Sequence, residues 1–212
     1  KPKFPKEKGQ QFIQVSTWDW HTCGVTNVGA IECFGMDDEG QSNKYQPKLA
    51  KTSKTNPNLV FGDSLSSVKL MVEVSAGSWH TCGVTSVGAI ECFGSDSDGQ
   101  SNKYEPKKPT KGRFTQVSAG LSHTCGLTSE GTVKCFSPGQ STSEPHSATK
   151  GKFTQVSVSN MLACALTSEG AIECFFNRKE EPILKLPTDR VFTQVSMKSD
   201  LGRACGLTSE GI

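Results

Sequence analysis

Phe114-Thr-Gln-Val-Ser-Ala-Gly-Leu-Ser-His123-Thr-Cys125-Gly-Leu-Thr-Ser-Glu-Gly131-Thr-Val-Lys-Cys135-Phe136 is the cleanest of five copies of one phrase in this 212-residue chain. Its first cysteine recurs as Cys23, Cys82, Cys125, Cys164 and Cys205, at intervals of 59, 43, 39 and 41 residues. Self-similarity at roughly 20 to 50 residues marks solenoids, propellers and related arrays. Within a copy the period is two. Phe114, Gln116 and Ser118 alternate with Thr115 and Val117; His123, Cys125 and Leu127 alternate with Thr124, Gly126 and Thr128. Such alternation among Val, Ile, Thr and Phe predicts strands.

The turn is legible in the same way. Cys23-Gly-Val-Thr26 is followed by Asn27-Val28-Gly29 and then by Ala30-Ile-Glu-Cys33. A three-residue hairpin loop wants glycine at its left-handed position. Gly29 is there, and Gly88, Gly131, Gly170 and Gly211 hold the same place in the other copies. This loop sets Thr26 opposite Ala30, Val25 opposite Ile31 and Cys23 opposite Cys33. Opposed residues of an antiparallel pair lie about 4.5 to 5.5 Å apart at Cα, within reach of a disulfide. The pairs Cys23–Cys33, Cys82–Cys92, Cys125–Cys135 and Cys164–Cys174 follow. Each closed loop restrains the unfolded chain by about 3 kcal/mol on loop-entropy grounds.

Cys205 is expected to pair ten positions on, past Ile212. Disulfides at this density point to an oxidising, extracellular compartment. The rival reading, small buried hydrophobes in a reducing compartment, leaves a spacing repeated four times without a cause. Zinc fits less well, because two thiolates per hairpin and no CxxC knuckle do not bring four ligands to one ion.

Apolar residues make up 34% of the chain and the net charge is +2. No run approaches the roughly 20 apolar residues of a membrane span. The opening Lys-Pro-Lys-Phe-Pro-Lys has no apolar core of a secretory leader. A secreted chain that starts this way has lost its leader or belongs to something longer. Acidic turns (Asp37, Asp38, Glu39; Asp96, Asp98) precede lysine-rich linkers (Lys44, Lys48, Lys51, Lys54; Lys103, Lys107, Lys108, Lys111, Arg113). Superposed repeats would gather these lysines into a patch of the kind that meets nucleic acid or acidic glycan. They are read here as solvated loops, with no nucleic-acid partner.

The pattern F-x-Q-V-S-A-G-x-x-H-T-C-G-L-T-x-x-G-x-V-x-C-F-G, followed by acidic residues and Gly-Gln, resembles the repeat of the regulator of chromosome condensation family. Gly77, His80, Gly88, Phe93, Gly94, Gly99 and Gln100 carry it, as do Gly120, His123, Gly131, Phe136, Gly139 and Gln140. The resemblance implies an all-β chain, a β-propeller with about five blades' worth of repeats, in a family whose rings commonly have seven blades. Seven units of about 42 residues need about 290. A single propeller domain over 1–212 is expected, with repeats at about 12–70, 71–113, 114–152, 153–191 and a truncated 192–212. The cysteine pairs set this chain apart as a secreted, disulfide-bearing branch. The fourth repeat departs at Leu162, Phe176 and Asn177, and the fifth carries Arg203 in place of histidine. Each blade must bury both faces against neighbours, Val25 and Ile31 on the cysteine face and Phe34 on the other.

Four candidate sites remain. His21, His80 and His123 occupy equivalent positions and would form a broken metal ring; they read better as polar groups fixing the turn before their strand. Asp96-Ser-Asp98-Gly99 echoes a calcium loop but lacks the twelfth-position glutamate of an EF-hand. Asp37-Asp38-Glu39-Gly40 reads as a tight turn. No metal and no cofactor is expected. No GxSxG, HExxH or phosphate-binding loop occurs, and a disulfide-bonded cysteine is no nucleophile; the chain reads as no enzyme. Trp18, Trp20 and Trp79 lie just before the second strand of their repeats, with Leu121 and Met161 at related places. Tryptophan anchors protein interfaces and stacks on sugars. The expected function is a non-catalytic extracellular binding or structural module, joining a protein partner or itself through loops at one propeller end. A carbohydrate-binding propeller is the alternative. A nucleotide-exchange role, as in the nuclear relative, conflicts with a secreted chain.

Overall fold

The computed structural model describes residues 9–46, 69–97, 112–136, 146–147, 152–160, 162–176, 184–185, 190–198 and 203–210. Gly211, Met161, Asp98, Gly99, Gln100, Gly139, Gln140, Asn177 and the linker lysines 48, 51, 54, 103, 107, 108 and 111 lie outside them. The described residues form five antiparallel sheets and no helix. The first holds β1 (Phe12–Thr17), β2 (His21–Thr26) and β3 (Ile31–Gly35). The second holds β4 (Met71–Ala76), β5 (His80–Thr85) and β6 (Ile90–Gly94). The third holds β7 (Phe114–Ala119), β8 (Thr124–Thr128), β9 (Val133–Phe136) and β10 (His146–Ser147). The fourth holds β11 (Phe153–Val158), β12 (Leu162–Thr167), β13 (Ile172–Phe176) and β14 (Leu184–Lys185), and the fifth β15 (Phe192–Lys198) and β16 (Arg203–Thr208). In the first sheet Tyr45 bridges to Ile31 where a fourth strand would run.

Each hairpin has the register expected from its turn. Val25 pairs with Ile31 and Cys23 with Cys33, and the equivalent cysteines pair in the next three sheets. Gly29, Gly88, Gly131 and Gly170 sit at φ of 75 to 83°. The disulfides Cys23–Cys33, Cys82–Cys92, Cys125–Cys135 and Cys164–Cys174 are formed, with Cα separations of 4.0 to 4.1 Å. Cys205 is free and exposed.

The first strand departs from simple alternation. Every sheet has a register shift just after its leading residue, between Phe114 and Gln116 in the third. An extra residue there rotates the strand, so that Phe114 falls on the same side as Val117 and Ala119 instead of with Gln116 and Ser118. That side is buried between blades. Cys82, Val84, Ile90 and Cys92 of the second sheet pack on Phe114, Val117, Ala119 and Phe136 of the third. The other seams repeat this plan, so each disulfide lies in the core between two blades.

A knob and a hole complete each seam. A Cβ on Gly83 would meet Ile31 Cδ1 at 2.9 Å, one on Gly126 would meet Ile90 Cδ1 at 2.6 Å, and one on Gly206 would meet Ile172 Cδ1 at 2.8 Å. In the third seam the isoleucine is Val133 and the glycine is Ala165. The knob is one methyl shorter where the hole carries one methyl more.

Candidate functional site

The connection before each second strand is pinned by backbone hydrogen bonds. Met36 N–H donates to the Trp20 carbonyl (2.9 Å) and Ser95 N–H to the Trp79 carbonyl (2.8 Å). Gly35 and Gly94, at φ of 125 and 110°, are what allow this, because a Cβ at either would collide with that same carbonyl oxygen. The glycine of each Phe-Gly pair is thus the support of the tryptophan loop. Its effect is to hold Trp20 and Trp79 outward, 56% and 38% exposed, while Trp18 is half-buried. Trp18 and Trp20 line one groove of about 860 Å³ with Phe12, Val15, Phe34, Asp19 and Lys44. Trp79 stands on the next blade and does not line it; Leu121, at the related place in the third, is half-buried.

The histidines do something other than fix their own turns. His21 Nε2 lies 2.7 Å from Thr81 Oγ1 of the following blade, and His80 Nε2 2.7 Å from Thr124 Oγ1. Thr81 donates its only hydroxyl proton to the carbonyl of buried Gln41 (2.8 Å), so His21 Nε2 must carry the proton between them. The chain Gln41–Thr81–His21 therefore stitches the acidic turn of the first blade to the second. Asp37 closes that turn, its carboxylate accepting from Ser42 N–H at 2.8 Å. At His123 the following threonine is replaced by Ala163, and neither ring nitrogen reaches a partner in hydrogen-bonding geometry. Burial lowers all three histidines, His80 to about 3 with help from His123 and His21, and His123 to about 4 against the Asn160 backbone. All three are neutral, and His21 and His80 each fasten their blade to the next. Among the described residues no group of three or more His, Cys, Asp or Glu is placed to hold a metal ion.

A second surface was hidden in the sequence. Gln14 Oε1 and Ser16 Oγ accept from the backbone N–H groups of Val74 and Ala76, at 2.8 and 3.0 Å. Glu73 and Ser75 do the same for Val117 and Ala119, at 2.9 and 3.0 Å. Gln116 and Ser118 serve Val156 and Val158; Gln155 and Ser157 serve Val195 and Met197, all at 2.7 to 3.0 Å. The first strands thus stand side by side, joined by side chain to backbone, and together line a groove of about 680 Å³. Its one acidic group among the described lining residues is Glu73, whose carboxyl burial raises to about 8 against the Val117 N–H. The recurrence of Gln-Val-Ser in the repeat was the available signal.

No curated protein matches the chain. Residues 71–100 and 114–137 match the Regulator of chromosome condensation (RCC1) repeat. Among solved structures, the chain is similar to human WBSCR16 (TM-score 0.69, 17% identity), covering 97% of this chain and 61% of that one. The CRINKLY WD40 ectodomain of the Arabidopsis thaliana receptor kinase ACR4 is similar at TM-score 0.63 and 21% identity, over 97% of this chain and 62% of that one. Prp20p of Saccharomyces cerevisiae follows at 0.65 and 15%, over 94% and 56%. The chain spans about three fifths of the length of these proteins, and the likeness is one of fold. Side-by-side blades joined through their first strands give this chain a β-propeller fold, and residues 71–100 and 114–137 within it carry the matched repeat.

Proposed function

We propose that the chain is a non-catalytic extracellular module that binds a protein partner through the tryptophan loops at one end of its blades. The observation that carries this reading is the rigid outward display of Trp20 and Trp79 on adjacent blades by glycine-supported loops. Large aromatic side chains held in place lose little entropy on binding, which is why they dominate interface energetics. The extracellular assignment is supported by four disulfides and by the likeness in fold to a receptor ectodomain. Prp20p, described with its binding properties to Gsp1p and histones, supports the general use of this scaffold for protein recognition.

Capture of a stoichiometric protein partner by the oxidised chain, lost on Trp20→Ala with Trp79→Ala, is the expected result. Capture that survives both substitutions removes the loop assignment. Trp18 and Trp20 flanking one groove beside Asp19 favour a second reading, stacking on a sugar ring with a carboxylate for its hydroxyls. Glycan-array binding lost on Trp20→Ala is its test.

A further inference from the structure

Trp79 stands on the second blade with a packed blade on either side, and it is still 38% exposed. Turns that carry carboxylates meet its loop from both sides. Ser95 N–H donates to the Trp79 carbonyl at 2.8 Å, which sets Ser95-Asp96-Ser97 of the same blade against it. From the first blade comes Asp37-Asp38-Glu39-Gly40-Gln41. The Gln41 carbonyl accepts from Thr81 Oγ1 at 2.8 Å, two residues past the tryptophan. A Cβ on Gly94 would touch both the Trp79 carbonyl oxygen and, at 3.1 Å, Gln41 Cα, so the first blade's turn lies directly beside the Trp79 loop. That turn is also closed on itself. The Asp37 carbonyl accepts from Gly40 N–H, its carboxylate from Ser42 N–H, and Gln41 is fully buried. The described connections at this end are 18–20, 36–44, 77–79, 95–97, 120–122 and 159–160. Among them Asp19, Asp37, Asp38, Glu39 and Asp96 are exposed acids, and Lys44 is the one exposed base.

We infer that the top of this seam binds an exposed basic segment of a protein partner, with an arginine or lysine head on the Trp79 ring and the flanking carboxylates receiving its neighbours. The face of an indole attracts a cation. Carboxylates of one sign around it draw in a basic segment and turn away an acidic one. The site is composite, because the ring comes from the second blade and most of the acids from the first. The Thr81–Gln41 hydrogen bond holds the two parts together. The inference rests on the loop reading above and says which chemistry the partner presents to those loops.

Fluorescence anisotropy of the full oxidised chain tests this with two labelled probes, a short alternating glycine–arginine peptide and its glycine–glutamate counterpart. The arginine peptide should bind, and more weakly as salt rises; the glutamate peptide should not. Trp79→Ala should weaken binding about fivefold, and Trp79→Phe should retain part of it. Asp38→Asn with Glu39→Gln should weaken it about fivefold at low salt and flatten its salt dependence. Lys44→Gln should tighten it. Glu130→Gln, at an exposed acid in a hairpin loop of the opposite end, should leave it unchanged. Circular dichroism checks that each variant is folded; should Trp79→Ala fail to fold, Trp79→Phe and the exposed charge variants decide. An arginine peptide that does not bind, a glutamate peptide that binds as well, or binding indifferent to Trp79→Ala overturns the inference. So does a loss on Glu130→Gln equal to that on Asp38→Asn with Glu39→Gln. A captured protein lost on Trp20→Ala with Trp79→Ala, yet indifferent to salt and to the Asp38 and Glu39 substitutions, would keep the loop reading and remove this one.

Discussion

Glu73 stands where Gln14, Gln116, Gln155 and Gln194 stand in the other first strands, and it makes their hydrogen bond with a carboxyl. Burial raises that carboxyl to about 8, from 4.5 in the ordinary state. The fold therefore holds the proton more tightly than the unfolded chain does. Its contribution is complete below about pH 4.5 and is lost as pH rises towards about 8. Glu73→Gln keeps the acceptor for Val117 and removes the charge. The variant should match the parent near pH 4 and exceed it by ~2–3 kcal/mol at about pH 9, after allowing for solvent screening at this half-buried site. Thermal unfolding of both proteins across that range reads the difference; a gap that stays constant with pH would refute the account. The recurrence of Gln-Val-Ser was visible in the sequence but what it fastens was not, because those side chains hold backbone 40 to 60 residues away. His123, facing Ala163 where its counterparts face threonine, shows the same limit: its missing partner is visible only once blades are side by side.

At the scale of the element, hairpins were readable and first strands were not. Turn glycine, loop length and cysteine spacing are all local, and together they fix one register. The bulge that puts Phe114 beside Val117 depends on packing against the preceding blade, so alternation alone put Phe114 on the wrong side. The knob at Ile90 and the hole at Gly126 are equally non-local. Gly126→Ala should cost about 1–3 kcal/mol by overpacking. Val133 facing Ala165 indicates the remedy already present in this chain, so Ile90→Val should recover part of that loss. A denaturant double-mutant cycle measures it, with a coupling of about 0.5 kcal/mol or more expected. Strictly additive effects would mean that the two side chains do not meet.

For the whole molecule, the placement of the sulfurs sets how it comes apart. The eight bonded cysteines lie between blades and are at most 9% exposed, while Cys205 is on the surface. Alkylation of the native chain should label one thiol, and alkylation after reduction in denaturant all nine. Reductant alone should open the four links only as fast as the seams separate, in one transition, since neighbouring blades share each core. Four links reduced independently in native conditions would contradict that shared burial. The row of Gln and Ser fasteners has a consequence for how such a chain can change. What they grip is the peptide amide, which nearly every amino acid supplies alike. A copied unit spliced into the series would meet a familiar surface on both sides without either neighbour being rewritten. Length can then vary by duplication, while individuality is left to the linkers and loops.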